Sequence, residues 1–357
     1  MMTVESILEQ LKKKQITPDE ARKRLAELKN IAENASQSKN NVFDKNAIAI
    51  VGMSGRYPGA KDIYEYWDLL EEGKEGIREI PKSRWDMSKY YDPEKGKEGK
   101  IYCKWLGMVD DANCFDPMFF EIPPSEAESM EPLHRVFIEE GYKAFEDAGY
   151  TRQRLSNVKC GVYAGMITGE YEKLSQKYGN DNTTITGSSN AIGAARLSYY
   201  FNLKGPAVSV DTACSSAMVC THMAVQALQR GEIDMALVGG SSLYLSAGAY
   251  VAMCSAGMLS PEGKCKTFDN DADGFVPADG AGALVLKRLE DAQRDNDNIH
   301  GVIIASGMNQ DGKTNGITAP NLGSQIELIR DVYSKYKIEP ESISYAELHG
   351  TGTKLGD

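Results

Sequence analysis

The stretch "AVSVDTACSSAMVCTHMAVQALQRG", residues 207–231, decides the fold. Ala207 to Val210 suit a strand, being small and β-branched with no breaker. Asp211 and Thr212 then make a turn, and from Cys214 the pattern becomes helical. Cys220, Ala224, Ala227 and Leu228 form the apolar side of that helix. A second apolar strand, "DMALVGGSSLYL" (234–245), follows at once. Strand, helix and strand in this order are the unit of an α/β fold with covered sheets. The thiol of Cys214 stands where strand gives way to helix, and Ser215, Ser216 and Ala217 leave room around it. A helix N-terminus favours thiolate over thiol, and its free N–H groups can hold the oxyanion formed on a thioester. Against that, an isolated cysteine is most often a buried, inert residue.

Working outward, the alternation persists. "AIAIVGMSGRYPG" (47–59) and "CGVYAGM" (160–166) read as strands, and "SNAIGAARLSYYFN" (189–202) as a helix. "GALVLKRL" (282–289) and "HGVIIASGMNQDG" (300–312) read as strands, "GSQIELIRDVYSKY" (323–336) as a helix, and "SYAELHG" (344–350) as a last strand. A strand–helix–strand–strand rhythm that occurs twice hints at duplication. The sequence stops at "HGTGTKLGD" (349–357), just after a Gly-rich turn, where an α/β domain rarely ends. The expectation is a fold incomplete within these residues.

Before this domain, residues 3–29 carry two short amphipathic helices. Ile7, Leu8 and Leu11 line the first. "TPDEARKRLAEL" (17–28) opens the second, with Thr17 as cap, Pro18 at the first helical position and Glu20 three residues after the cap. "NIAENASQSKNN" (30–41) is polar and reads as linker. Three parts are therefore expected: a helical docking or linker element over 1–30, a polar linker over 31–45, and the main domain over 46–357.

Composition narrows the classes. The chain has 357 residues and a formal net charge of -11, which argues against nucleic acid as main partner. No apolar run reaches the roughly 18 to 20 residues a membrane span needs, and the start lacks a signal peptide's apolar centre. A cytoplasmic protein with no membrane partner is expected. Seven cysteines, an odd number without a CxxC pair, suggest neither a disulfide framework nor a zinc site. "DNDADG" (269–274) imitates the head of a calcium loop, but Gly280 stands at the twelfth position, where a bidentate Glu belongs. No metal site is expected. No GxSxG elbow, Walker loop or dinucleotide fingerprint is found.

A nucleophilic thiol needs a base or donor nearby. The chain has four histidines. His134 lies in the helical pattern "EPLHRVFIEEGYKAF" (131–145) and reads as a surface or structural residue. His222 sits within the Cys214 helix and reads as packed, and His300 reads as a turn residue. His349 differs, for it follows an apolar strand and precedes "GTGT", whose glycines permit close approach of a ligand. Sites in α/β sheets lie past the carboxyl ends of strands. His349 is the best donor available.

"VDTACSS" around Cys214 and "HGTGTKLGD" around His349 resemble the first two signatures of β-ketoacyl synthases, the condensing domains of modular polyketide synthases. "AIVGMSGRYPGA", "ITGSSNAIGAARLSYYFNLKGP", "GMLSPEGKCKTFDNDADGFVP" and "NQDGKTNGITAPN" agree, in order, from about residue 46 onward. "GKCKTF", "DGKTNGITAPN" and "HGTGTKLGD" are similar to bacterial synthases whose acyltransferases act in trans.

The resemblance implies a thiolase-like fold, αβαβα layers in two duplicated halves, with the second half incomplete here, and a homodimer. Cys214 would take an acyl group from the phosphopantetheine of an acyl carrier protein, and a malonyl-type extender would condense with it after losing CO2. His349 would stabilise the enolate, and Thr351 and Thr353 would hydrogen-bond the pantetheine arm. The domain itself would bind no cofactor. A third family motif, with a further histidine and lysine, lies beyond the second and beyond residue 357. Condensation would then require a complementary C-terminal segment. "MEPLHR" (130–135) and "VPADGAG" (276–282) depart from the family's "MDPQQR" and "VPGEGVG". They favour a second reading, a non-elongating acyl-transfer gatekeeper. A third is the N-terminal fragment of a split synthase acting in assembly, docked through residues 3–29.

Overall fold

The computed structural model describes residues 46–156, 158–167, 169–175 and 184–357, with 10, 13, 15–17, 20, 21, 23 and 24 near the N-terminus. The chain separates into two compact units, Met1–Ala47 and Ile48–Asp357. In the first unit, the Thr17 hydroxyl accepts the Glu20 N–H (3.2 Å) while the Glu20 carboxylate accepts the Thr17 N–H (2.9 Å). That reciprocal pair is the capping box expected at this helix start. Arg24 also donates to Gln10 Oε1 at 3.1 Å. The expected linker over 31–45 lies outside the described residues.

The second unit is built on one mixed sheet of six strands: β1 (Ile48–Arg56), β4 (Cys160–Met166), β5 (Ala207–Val210), β6 (Met235–Ser242), β7 (Gly280–Arg288) and β8 (Gly301–Ile303). Their spatial order is β5-β4-β6-β7-β1-β8. β4 runs parallel to both β5 and β6, whereas β6–β7, β7–β1 and β1–β8 are antiparallel. β2 (Ile77–Glu79) and β3 (Trp105–Gly107) make a separate antiparallel pair.

Side-chain alternation assigns the two faces of the sheet. Ile48, Tyr163, Ala236, Val238 and Leu286 pack with Cys220, Ala224, Val225 and Leu228 of the helix α4 (Ser216–Gln229). The other face carries α2 (Pro132–Asp147), against β1, β6 and β7, and α3 (Asn190–Phe201), against β4 and β5. The sheet is thus covered on both sides, as its apolar strands require. A second core lies beneath α5 (Ala247–Ser255), where Tyr250 packs with Trp85, Ile101, Leu106 and Leu259. The Tyr250 hydroxyl is satisfied by the Trp105 carbonyl at 2.8 Å. α1 (Ile63–Glu71), α6 (Leu289–Arg294) and α7 (Leu322–Tyr336) complete the main helices.

The C-terminal stretch departs from expectation. The strand read over 300–312 is only three residues long, Gly301–Ile303. The strand read over 344–350 is not formed. A strand exists only where a neighbouring edge accepts its hydrogen bonds, and the sheet stops at β8. α7 forms where expected, capped by Asn321, but buries none of its residues.

Candidate active site

β5 delivers the chain to Asp211, whose carboxylate accepts the Ala213 N–H at 3.0 Å. Ala213 then takes a left-handed conformation (φ 55°), which a residue with a Cβ adopts only under constraint. The constraint is visible. The Ser216 hydroxyl accepts the Thr212 N–H (2.9 Å) and donates to the Ala213 carbonyl (2.7 Å), lacing the turn together. Ser215 donates to the Thr212 carbonyl at 2.9 Å. Gly165 of β4 lies directly beneath, where a Cβ would stand 2.8 Å from the Ala217 nitrogen. Cys214 therefore sits on a tight 3-10 turn, Ala213–Ser215, and the α-helix begins at Ser216. The helix was expected to start at Cys214 itself. The difference arises because Asp211 and Ser216 hold the backbone in a turn through these residues.

The head of α4 is open rather than buried. Cys214 is exposed and borders a cavity of about 750 Å³, lined by Met53, Ile167, Met218, Tyr244 and Leu284 among others. Cys103, Cys160, Cys220 and Cys254, by contrast, are buried. Burial pushes the Cys103 and Cys220 thiols up to about 11 and the Cys160 thiol to about 12. These four are packing residues.

His349 is exposed, at the foot of a loop that packs on residues 265–274. It is not among the residues lining the Cys214 cavity. Thr351 and Thr353 follow on the same loop, their hydroxyls 3.1 Å apart. Of the other histidines, His134 is fully buried on α2 with Nε2 2.9 Å from Asn190 Oδ1, so it is structural and not a surface residue. His222 is half-buried, Nδ1 2.8 Å from the Ser306 hydroxyl. His300 pairs with Asp147 at 2.7 Å. In the acidic turn over 269–274, Asp269 accepts the Asp271 N–H and Lys266 reaches Asp273 Oδ2 at 3.5 Å, while Asp273 Oδ1 is buried without a hydrogen bond. Among the described residues, no group of three or more His, Cys, Asp or Glu is placed to hold a metal ion. None of the described helices is long and apolar enough to cross a membrane.

Asp279, one of the departures noted above, is buried and takes the Arg84 guanidinium at 2.8 Å and the Tyr244 N–H at 2.9 Å. Its carboxylate ties β7 to the second core. Sequence reading passed over Ser216 as merely small. A serine two places after a nucleophile, at a strand–helix junction, is the available signal for a lacing hydroxyl.

Residues 45–292 match the family described as Beta-ketoacyl synthase, N-terminal domain, and residues 300–357 match its C-terminal domain. The chain belongs to the β-ketoacyl synthase family. Polyketide synthase PksL of Bacillus subtilis is 63% identical to this ketosynthase domain over 313 residues, 88% of the chain and 7% of that protein. Polyketide synthase PksM of the same organism is 48% identical over 311 residues, again 7% of its length. Among solved structures, the ketosynthase from module 6 of the bacillaene synthase of Bacillus subtilis 168 is 61% identical, with a TM-score of 0.79 over 87% of this chain and 52% of that one. The oxazolomycin ketosynthase domain OzmH KS7 of Streptomyces albus JA3453 is 38% identical, with a TM-score of 0.84 over 87% and 54%. The fold is thiolase-like, as the resemblance implied. The chain spans about half the length of these solved ketosynthases and under a tenth of PksL and PksM.

Proposed function

We propose that this ketosynthase domain carries out decarboxylative condensation in a polyketide assembly line of the kind supplied by acyltransferases in trans. The supporting observation is the turn at Cys214: an exposed thiol, on a constrained backbone, at the head of the central helix and beside a cavity. An acyl chain arrives as a thioester on the phosphopantetheine of an acyl carrier protein. The Cys214 sulfur attacks the carbonyl carbon, the carrier thiol leaves with a proton, and the acyl group is held on Cys214. A malonyl-type thioester then loses CO2. The electron pair left behind forms a carbon–carbon bond to the acyl carbon, and the Cys214 sulfur departs to yield a β-ketoacyl thioester. Backbone N–H groups at the head of α4 suit the oxyanion of each tetrahedral stage. His349 is assigned to the enolate, and Thr351 and Thr353 to the pantetheine arm.

Three assembly features belong to the same reading. β5 is an outer strand of the sheet, and a second copy pairing along it gives a homodimer. Leu322, Ile326, Ile329, Tyr345 and Leu348 are exposed, and a complementary C-terminal ketosynthase segment covers them. The capped helix at Thr17 belongs to an element that docks another synthase subunit. The protein works in the cytoplasm and binds no cofactor of its own.

The test is intact-mass measurement after incubation with a simple acyl-pantetheine thioester, beside Cys214→Ala. One acyl adduct, absent from the variant, is expected, and an unmodified folded chain would overturn the assignment. Adding a malonyl thioester together with the complementary C-terminal ketosynthase segment then separates two outcomes. CO2 release marks condensation, and a stable adduct without CO2 marks the non-elongating acyl-transfer alternative. Asp279 and His134 both have structural partners, so neither departure from the family motifs by itself argues for that alternative.

A further inference from the structure

We infer that Thr267 is a positioning residue for His349, holding the enolate-stabilising loop in register from outside the active site. The inference rests on the condensation reading above. Residues 265–274 and 350–357 interlock through three hydrogen bonds. The Thr267 hydroxyl donates to the Gly350 carbonyl (2.7 Å), and the Gly274 N–H donates to the Gly352 carbonyl (3.0 Å). The Phe268 N–H donates to the Asp357 carboxylate at 2.8 Å, and within its own segment that carboxylate also accepts the Gly352 N–H at 3.1 Å. Of the three, the Thr267 bond is the one that reaches the residue next to His349.

Two further observations single out Thr267. Its neighbours on either side, Lys266 (φ 46°) and Phe268 (φ 59°), are both in the left-handed region, although both are bulky. Such backbone persists only where the surroundings fix it, and it concentrates at functional sites. Here Lys266 is fixed by Glu262 (2.8 Å) and Asp273 (3.5 Å), and Phe268 by Asp357. Strained backbone on both sides thus presents the Thr267 hydroxyl to Gly350. The second observation is the closeness of the fit. Gly352 has φ 68°, and a Cβ there would stand 1.4 Å from the Cys265 carbonyl oxygen. No residue with a side chain fits that position, so the loop carrying His349 has little freedom to shift along the 265–274 segment.

Thr267 is not among the residues lining the Cys214 cavity. It acts by restricting where the His349 imidazole stands when the enolate forms, so its loss is expected to appear in the condensing step more than in acyl loading. Thr267→Val removes the donor at nearly constant shape, and Thr267→Ser restores it. The experiment compares these with the unsubstituted chain in two measurements. The first is hydrogen exchange of the backbone amides of residues 349–353. The second is CO2 release from a malonyl-pantetheine thioester after acyl loading, with the complementary C-terminal ketosynthase segment added. From the net worth of one hydrogen bond, Thr267→Val should speed exchange about fivefold and lower kcat for CO2 release by about as much, with KM changed less than about twofold. Thr267→Ser should recover both. Exchange in Thr267→Val equal to that of the unsubstituted chain, or a serine variant no better than valine, would overturn the inference. No CO2 from the unsubstituted chain with that segment present would count against the condensation reading, and the exchange measurement would then decide the positioning role alone.

Discussion

Helices α4 and α7 both have an apolar side legible in the sequence, and both form. α4 buries Ser216, Cys220, Ala224, Val225, Ala227 and Leu228 against the sheet, whereas α7 buries nothing. The contrast extends to their regions. Of residues 301–357, Gly352 alone is buried, while β1, β4, β6 and β7 carry runs of buried side chains. An amphipathic pattern therefore specifies a helix and a face, but the stabilisation comes only when a second surface removes that face from water. α4 has that surface within the described residues and α7 does not.

The largest expected effect that could break this comparison is in thiol chemistry. Under native conditions an alkylating reagent should modify Cys214 and Cys114, both exposed, and leave Cys103, Cys160, Cys220 and Cys254 unmodified until the chain unfolds. Peptide mass spectrometry reads this directly, and rapid native labelling of Cys220 would show α4 to be loosely packed. Next, Leu228→Ala, in the sheet core, should cost about 2–5 kcal/mol in urea unfolding. Ile329→Ala, 55% exposed on α7, should stay within about 0.5 kcal/mol. Equal losses would mean that α7 is covered in solution. Between these, Asp279→Ala strands the Arg84 guanidinium, of which 15% remains exposed, and should cost about 3 kcal/mol.

The smallest effect is a pH dependence. Burial holds His134 below its ordinary 6.5, with Arg196 and Arg135 adding to the shift and Asn190 opposing it. The unfolded chain then binds more protons than the folded one below about pH 6.5, so stability falls as pH drops through that value. His222 is lowered too, by burial and by Lys335, and contributes in the same direction. His134→Gln should flatten the decline between pH 6.5 and 5 without abolishing it, and an unchanged slope would show that His134 is not desolvated.

Much of the sheet was legible because its strands are short apolar runs bounded by breakers. β1, β4, β5, β6 and β7 stand where the pattern puts them, and so does the strand-to-helix junction at Cys214. The strand expected at 344–350 was not formed, because strand pairing depends on a neighbour that no local pattern supplies. The burial of His134 was also out of reach, since it depends on Gly193 of α3 lying against its ring. Within the site, Cys214 could be read from small residues at a junction. The lacing by Ser216 and the presentation of Thr267 required the three-dimensional turn.

The sheet register has a consequence for synthesis on the ribosome. β1 is among the first strands made, yet its partners are β7, with Ile48 opposite Arg288, and β8, with Ile48 opposite Ile303. At roughly 5–20 residues per second, β1 waits on the order of ten to fifty seconds for β7 to be translated. Over that interval α2 is the earlier cover, for Met53 donates to Asp147 at 2.9 Å and Ser54 donates to Glu140 at 2.5 Å. The helix that shields one face of the finished sheet is also positioned to chaperone its first strand.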